Sequence, residues 1–573
     1  MMCGSILDSV WRCWTMRTSV EKEWWKGLDL NYTGENNFAS FFSSNGNIHS
    51  YPAKAVPEMV VSLLKKLKEE YSITKVLDPF VGSGTVALEC KYLGLDFYGS
   101  DMNPLSILLA RTKSLTVSNT AFVEKSLKVF TDTISERFTP EKMVKLTKFD
   151  NIEYWFKPMN IKELSYIEQE IDKFLQGCSQ KYIETFALIL LTAFSSTIRE
   201  SSLTRNSEFK LYRMSPGDID KFNVDSIAVF KNKIDNLLGL LVETNKLSTR
   251  KTTTNIQLKN AKDLSYLKEN QVNAVLTSPP YGDSQSTVAY GEFSKLPLQW
   301  SKGLLLRYLG ISTTAENVDE YLLGGKKSIS NISLKKIIRS SNTLRNLFNE
   351  MRIVSRQGTD LYRNLIKDLE QIMKDIEKNI FDPSKLISNK ELYELVKERI
   401  RLDYYRVLNK SGELSNKEVK LSARKLTEIF LSELNGDNLC SETIQILSDK
   451  LPFVKETLNR KVIALPRRVR QVLHFFKELY LVVGQTDQVL VEGGVQAWIV
   501  GHRTVLGSIT VDMAEVLNDW FVSLGYDKVI TLHRQYSFKR LPHHINSTVT
   551  RKSEIKTMME EHIVIVRKIP PTE

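Results

Sequence analysis

Apolar and polar positions change period several times along this chain, and the changes divide it into segments. Residues 76 to 104, "VLDPFVGSGTVALECKYLGLDFYGSDMNP", start as a short apolar run and pass through a glycine turn into helical spacing. They then return to a second apolar run that ends at an acid. Strand, loop, helix and strand in that order predict a β-α-β unit, and with it a mostly parallel sheet. From about 120 to 255 the spacing is helical, most apolar in "YIETFALILLTAFSSTI", after which "VNAVLT" restores strand character. Residues 301 to 475 are helical again, as in "LYRNLIKDLEQIMKDIEKNI", with no clear strand run. Beyond them "VLVEGGVQAWIVG", "DKVITLHRQY" and "EHIVIVRK" are β-rich, with a helix-like "TVDMAEVLNDWFVSLG" among them, so the sheet resumes at the C-terminus. The expected fold class is α/β, a mostly parallel central sheet with a large, mainly helical insertion.

With 573 residues the chain exceeds the size at which one core keeps growing, so several units are expected. The divisions are 1–119, 120–255, 256–300, 301–475 and 476–573. Charge singles out one of them. The chain carries 79 Lys+Arg against 67 Asp+Glu, a net +12, and residues 301–475 hold 32 against 22, a surplus of ten. Within the clusters "KKSISNISLKKIIRSSNTLR" and "PRRVR", Lys326, Lys327, Lys335, Lys336, Arg339, Arg467, Arg468 and Arg470 are candidate contacts to a polyanion. A solvated helical face is the ordinary alternative. Cys3, Cys13, Cys90, Cys178 and Cys440 are odd in number and never spaced C-x-x-C, which suggests neither disulfides nor a zinc site. Asp8 and Arg12 interrupt the first twenty residues, and no later window is apolar for 18 residues, so a cytoplasmic protein without membrane contact is expected.

In "DPFVGSGT" an acid ends the strand, and Gly82 and Gly84 permit a tight turn that aims backbone N–H groups and a helix N-terminus at a ligand. Thr85 stands where a triphosphate-binding loop needs lysine, and Ala87 stands at the third glycine position of a dinucleotide loop, a tolerated replacement. Asp101, at the end of the second strand, suits ribose hydroxyls, so an adenosine-containing cofactor is indicated. Turn capping is the plainer role for Asp78 and Asp101 taken singly.

"TSPPYG" ends the run at 272–277. Two prolines hold the backbone rigid at the carboxyl end of a parallel strand, so the Ser278 hydroxyl and nearby carbonyls face the crevice where such sheets bind ligands. Tyr281 offers a flat face, a combination that suits a planar heterocycle with an exocyclic amine. A rigid turn with a packed tyrosine is the alternative.

Together "DPFVGSGT", "GSDMNP", "AKDLSYL" and "LTSPPYG" resemble motifs I to IV of the S-adenosylmethionine-dependent amino-methyltransferases of DNA, and "HSYPAKAVPEMV" resembles motif X. Serine at the head of Ser-Pro-Pro-Tyr is similar to the cytosine-N4 group. The resemblance spans roughly residues 45–115, 255–300 and 485–568, and implies a Rossmann-like methyltransferase. It implies that Tyr51, Pro52, Asp78, Pro79, Phe80, Gly82, Ser83, Gly84, Thr85, Asp101, Met102 and Asp263 bind S-adenosylmethionine, with Asp101 on the ribose and Asp263 at the adenine edge. Ser278, Pro279, Pro280 and Tyr281 would take a flipped base from double-stranded DNA, by direct methyl transfer that requires no metal. The segment 301–475 would recognise the target, and a separate restriction endonuclease would be a natural companion. Adenine-N6 or RNA methylation, and a non-catalytic nucleic-acid-binding protein, are the alternatives. The long 120–255 segment between motifs II and III departs from a minimal catalytic domain.

Overall fold

The computed structural model describes residues 23–28, 30, 49–52, 55–205, 210–247, 251–282, 288–313, 318–328, 330–411, 416–436, 439–535, 544–546, 554–556 and 560–570. The first twenty residues, most of "FKRLPHH" and the last three residues lie outside them.

Seven strands form the central sheet: β1 (Lys75–Asp78), β2 (Asp96–Asp101), β3 (Thr254–Leu258), β4 (Val272–Thr277), β5 (Leu490–Gly501), β6 (Tyr526–Gln535) and β7 (Glu560–Lys568). Their spatial order is β3-β2-β1-β4-β5-β7-β6. Neighbours from β3 to β5 are parallel, and β7 runs antiparallel to both β5 and β6. β3, "TNIQL", is the strand that the hydrophobic pattern misses. It lies at the sheet edge, pairs on one side only, and alternates polar with apolar residues instead of running apolar.

Alternate strand residues feed two separate cores. Val76, Ala274, Leu276, Ala497 and Ile499 pack on one face; Leu77, Val275, Trp498 and Val500 pack on the other. The first face is covered by α1 (Pro57–Tyr71), α2 (Thr85–Leu93), α3 (Pro104–Ser114), α4 (Thr120–Arg137), α5 (Pro158–Gln176), α6 (Ile183–Glu200), α7 (Ser226–Leu247) and α8 (Tyr290–Leu309). The 120–255 segment is therefore a layer of the α/β body: α6 packs against α3, α7 and α8, and its burial all round explains its apolar sequence.

The second face is covered by α9 (Leu334–Ser340), α10 (Asn342–Glu377), α11 (Lys390–Ser411), α12 (Asn416–Leu434), α13 (Ser441–Val489) and α14 (Met513–Ser523). α13 runs without a break across position 475 and ends one residue before β5, so the insertion is joined to the sheet by a continuous helix. Among the described residues no helix is long and apolar enough to cross a membrane.

Candidate active site

β1 ends at Asp78, and the chain then turns: the Val81 N–H bonds to the Ser100 carbonyl at 3.1 Å, and the Gly84 N–H to the Val81 carbonyl at 2.9 Å. Gly82 and Gly84 both have positive φ, but their surroundings differ. A Cβ on Gly82 would meet nothing nearer than 3.8 Å, whereas one on Gly84 would lie 2.6 Å from the Cα of Ala110 in α3. Gly82 thus opens a cradle toward the cavity, and Gly84 permits close packing between the turn and a helix. Thr85 and Ser83 are buried at the start of α2.

Asp101, at the end of β2, accepts from the Gly82 N–H at 2.9 Å and from the Asn103 N–H at 2.8 Å. Burial raises its carboxyl above the usual range, and these donors oppose the rise. Asn103 caps α3 through its side-chain oxygen, while its amide donates to the Tyr51 hydroxyl at 3.2 Å and to Ser294 at 2.8 Å. One side chain therefore joins the Tyr51 segment, the end of β2 and α8.

At the end of β4 the Thr277 hydroxyl donates to Asp78 at 2.6 Å, and the Phe80 N–H donates to the same oxygen at 3.0 Å. Asp78 is 3% exposed, and burial lifts its carboxyl to about 7. Its place is behind the turns, tying the glycine turn to the proline turn. Beyond them, Tyr51, Pro79, Phe80, Gly82, Asp101, Met102, Ser278 and Pro280 line one cavity, which brings four motifs separated in sequence to a single wall. Pro52 is buried beside Tyr51. Pro279 and Tyr281 are not among the lining residues; Tyr281 turns its hydroxyl to Glu561 in β7.

The same cavity is lined by Asn103 and Ala261, which lie inside the quoted motifs but were not assigned to the cofactor, and by Asn260, Tyr290, Tyr321, Leu322 and Leu323, which lie outside them. Asn260 and Ala261 leave β3. Asp263 is placed otherwise than expected: its carboxylate, half exposed, accepts from the Ser265 N–H at 3.1 Å and pairs with Lys259 at 3.3 Å, outside the cavity lining. Tyr290 opens α8, whose first N–H groups are capped by Asp319 at 2.9 and 3.2 Å. Burial raises the Asp319 carboxyl to about 6. A cap from so distant a residue leaves no local sequence signal.

Tyr321 to Leu323 belong to the insertion, and buried Glu478 in α13 holds the turn that follows them. Its carboxylate accepts from Lys262 at 2.5 Å, from the Gly324 N–H at 2.5 Å and from Ser328. His474, one turn earlier, bonds to the Ser328 carbonyl at 3.0 Å. Lys326 and Lys327 are exposed just past the cavity wall, with Lys327 paired to Glu320; Lys335, Lys336 and Arg339 are exposed on α9. Arg467 and Arg470 are exposed on α13, and half-buried Arg468 bonds to Gln471. Arg470 shares a groove of about 460 Å³ with Arg352, Arg356 and Arg363 of α10, where Gly358 lets Leu465 approach closely.

This strand order, with a glycine turn, an acid and a proline turn around one cavity at the carboxyl ends of the parallel strands, defines a Rossmann-like methyltransferase. A family model described as D12 class N6 adenine-specific DNA methyltransferase matches residues 58–358. The chain is 32% identical over 380 residues to the type II methyltransferase M.MvaI of Kocuria varians, covering 63% of this chain and 79% of that protein. It is 26% identical over 338 residues to the type II methyltransferase M.BsoBI of Geobacillus stearothermophilus, covering 52% and 63%. A shorter match, 36% over 66 residues, joins it to M.MjaII of Methanocaldococcus jannaschii. No solved structure matches it significantly. The chain belongs to the D12 class family of DNA methyltransferases, enzymes that use S-adenosylmethionine. The residues present fit that cofactor: a side-chain-free cradle at Gly82, a carboxylate at Asp101 and aromatic walls from Tyr51, Phe80 and Tyr290.

Proposed function

We propose that the chain methylates the N4 amine of a cytosine flipped out of double-stranded DNA. The observation that carries this reading is that Ser278 and Pro280 share one cavity with Gly82 and Asp101, so an acceptor for the amine adjoins the cofactor cradle. S-adenosylmethionine supplies an electrophilic methyl carbon. Tyr51, Pro79, Phe80, Gly82, Met102, Asn260 and Ala261 surround the cofactor in this reading, and Asp101 receives its ribose hydroxyls. The Ser278 hydroxyl and the Pro279 carbonyl accept the amine hydrogens, which turns the nitrogen lone pair toward the methyl carbon. Because that lone pair is delocalised into the ring, orientation is the main demand, and positioning supplies up to roughly 7–11 kcal/mol. Flipping the base costs a few kcal/mol, which stacking on Tyr281 offsets in part.

Serine at the head of the proline turn supports cytosine. Adenine N6 is the second reading, favoured by the description of the matched family. For duplex binding, Lys326, Lys327, Lys335, Lys336, Arg339, Arg467 and Arg470 are joined by Arg352, Arg356 and Arg363 of the shared groove. Similarity to proteins named type II methyltransferases supports service beside a separate restriction endonuclease. Transfer of labelled methyl groups to duplex DNA, single-stranded DNA and RNA tests the substrate class: duplex DNA is expected to be labelled fastest, and labelling of RNA alone contradicts the proposal.

A further inference from the structure

Three histidines meet on one face of the antiparallel edge of the sheet. His562 of β7 stands opposite His533 of β6 and opposite Val500 of β5, and His502 follows two residues beyond Val500. The ring centroids of His502 and His562 are 4.0 Å apart at 83°, and those of His533 and His562 are 4.5 Å apart at 74°. Glu560 joins them: one ligand atom each from His533, Glu560 and His562 lie within 4.8 Å of one another. His562 is 5% exposed, yet its Nε2 has no hydrogen-bond partner, and neither has Nδ1 of His502. His49 and His474, by contrast, are bonded to Ser195 and to the Ser328 carbonyl. A buried ring nitrogen without a partner is costly, and the one on His562 lies in the cluster that offers three ligand atoms.

We propose that His533, Glu560 and His562 bind a divalent transition-metal ion of the zinc type. Two imidazoles and a carboxylate suit Zn²⁺, Co²⁺ or Ni²⁺ better than Mg²⁺ or Ca²⁺. His502, packed edge-on against His562, flanks the site. The ion would link β6 to β7 next to Glu561, whose side chain leaves the opposite face of β7 to hold Tyr281. Such an ion would brace the strand pair that carries the anchor of the proline turn, whichever base is methylated.

The test uses the full chain without an affinity tag, treated with chelator, dialysed and titrated with Co²⁺ by visible absorption and with Zn²⁺ by calorimetry. One saturable equivalent is expected, with Zn²⁺ displacing Co²⁺ and raising the melting temperature. His533→Ala and Glu560→Gln alter exposed side chains, so the metal-free variants should melt as the metal-free parent does, and each should bind at least roughly tenfold more weakly. Absence of saturable uptake by the parent chain, or parental affinity in both variants, overturns the proposal.

Discussion

The Tyr281 hydroxyl donates to Glu561 at 2.8 Å, and Arg534 holds the other oxygen of that carboxylate at 2.5 Å. Both charged residues are nearly buried, so the ring of the proline turn is fixed by a pair belonging to the far edge of the sheet. Tyr281→Phe keeps the ring and loses the anchor; Tyr281→Ala loses the stacking surface, worth roughly 1–3 kcal/mol. With saturating DNA, single-turnover methyl transfer should fall in the order parent, Phe, Ala, while affinity for S-adenosylmethionine stays unchanged. Parental turnover by Tyr281→Ala would show that the ring only packs.

The two glycines of the first turn should fail differently. Gly82→Val fills the cradle without meeting a close neighbour and is expected to weaken cofactor binding by about tenfold or more, with backbone strain of about 1–3 kcal/mol from its positive φ. Gly84→Val drives its side chain into Ala110, where overpacking costs about 1–3 kcal/mol or more, and should appear first as a lowered melting temperature. Calorimetric cofactor titration beside thermal unfolding separates the two.

Much of this architecture could be read in advance because buried parallel strands and their turns leave local marks: "KVLD" before a glycine turn, "VNAVLT" before two prolines. The alternating edge strand "TNIQL" carried no such mark, and the cavity wall at Tyr290 and Tyr321–Leu323 depends on Asp319 and Glu478, contacts made across the fold. Gly82 and Gly84 looked equivalent in sequence because only the position of Ala110 distinguishes them. The Asp263 expectation came from the family resemblance; the motif reaches the cavity at Ala261, next to Asn260, and not at Asp263.

Asp78 predicts a pH dependence of stability. Between the usual carboxyl value near 4 and the folded value of about 7, the folded chain keeps a proton that the unfolded chain has released. The contribution of this group is therefore full below about pH 4 and is lost as pH rises toward about 7. His49 acts in the opposite sense: burial lowers it to about 3, and stability is lost as pH falls below its usual 6.5. Asp78→Asn retains the oxygen that accepts from Thr277 and Phe80. Compared with the parent at equal pH, which cancels His49, its melting temperature should move in the variant's favour from about pH 5 to about pH 8. A difference independent of pH contradicts a protonated Asp78.

The groove between α10 and α13 predicts a change in salt dependence. Replacing Arg352, Arg356 and Arg470 with Gln should weaken DNA binding similarly across sequences and lower the slope of log affinity against log salt by roughly 0.9 per lost phosphate contact. Arg468, bonded to Gln471, should contribute less. Fluorescence anisotropy on duplexes over a salt series decides it, and an unchanged slope returns the groove to a solvated surface.

Methylation of the exocyclic amine of cytosine, proposed for the cavity shared by Gly82, Asp101, Ser278 and Pro280, leaves a chemically distinct product. Its most direct test is to incubate the chain with S-adenosylmethionine and duplex DNA, digest the product to nucleosides, and identify the methylated one by chromatography and mass spectrometry. N4-methylcytosine is expected, and should be absent when Ser278-Pro-Pro-Tyr is replaced by alanines. N6-methyladenine with unmodified cytosine would contradict it.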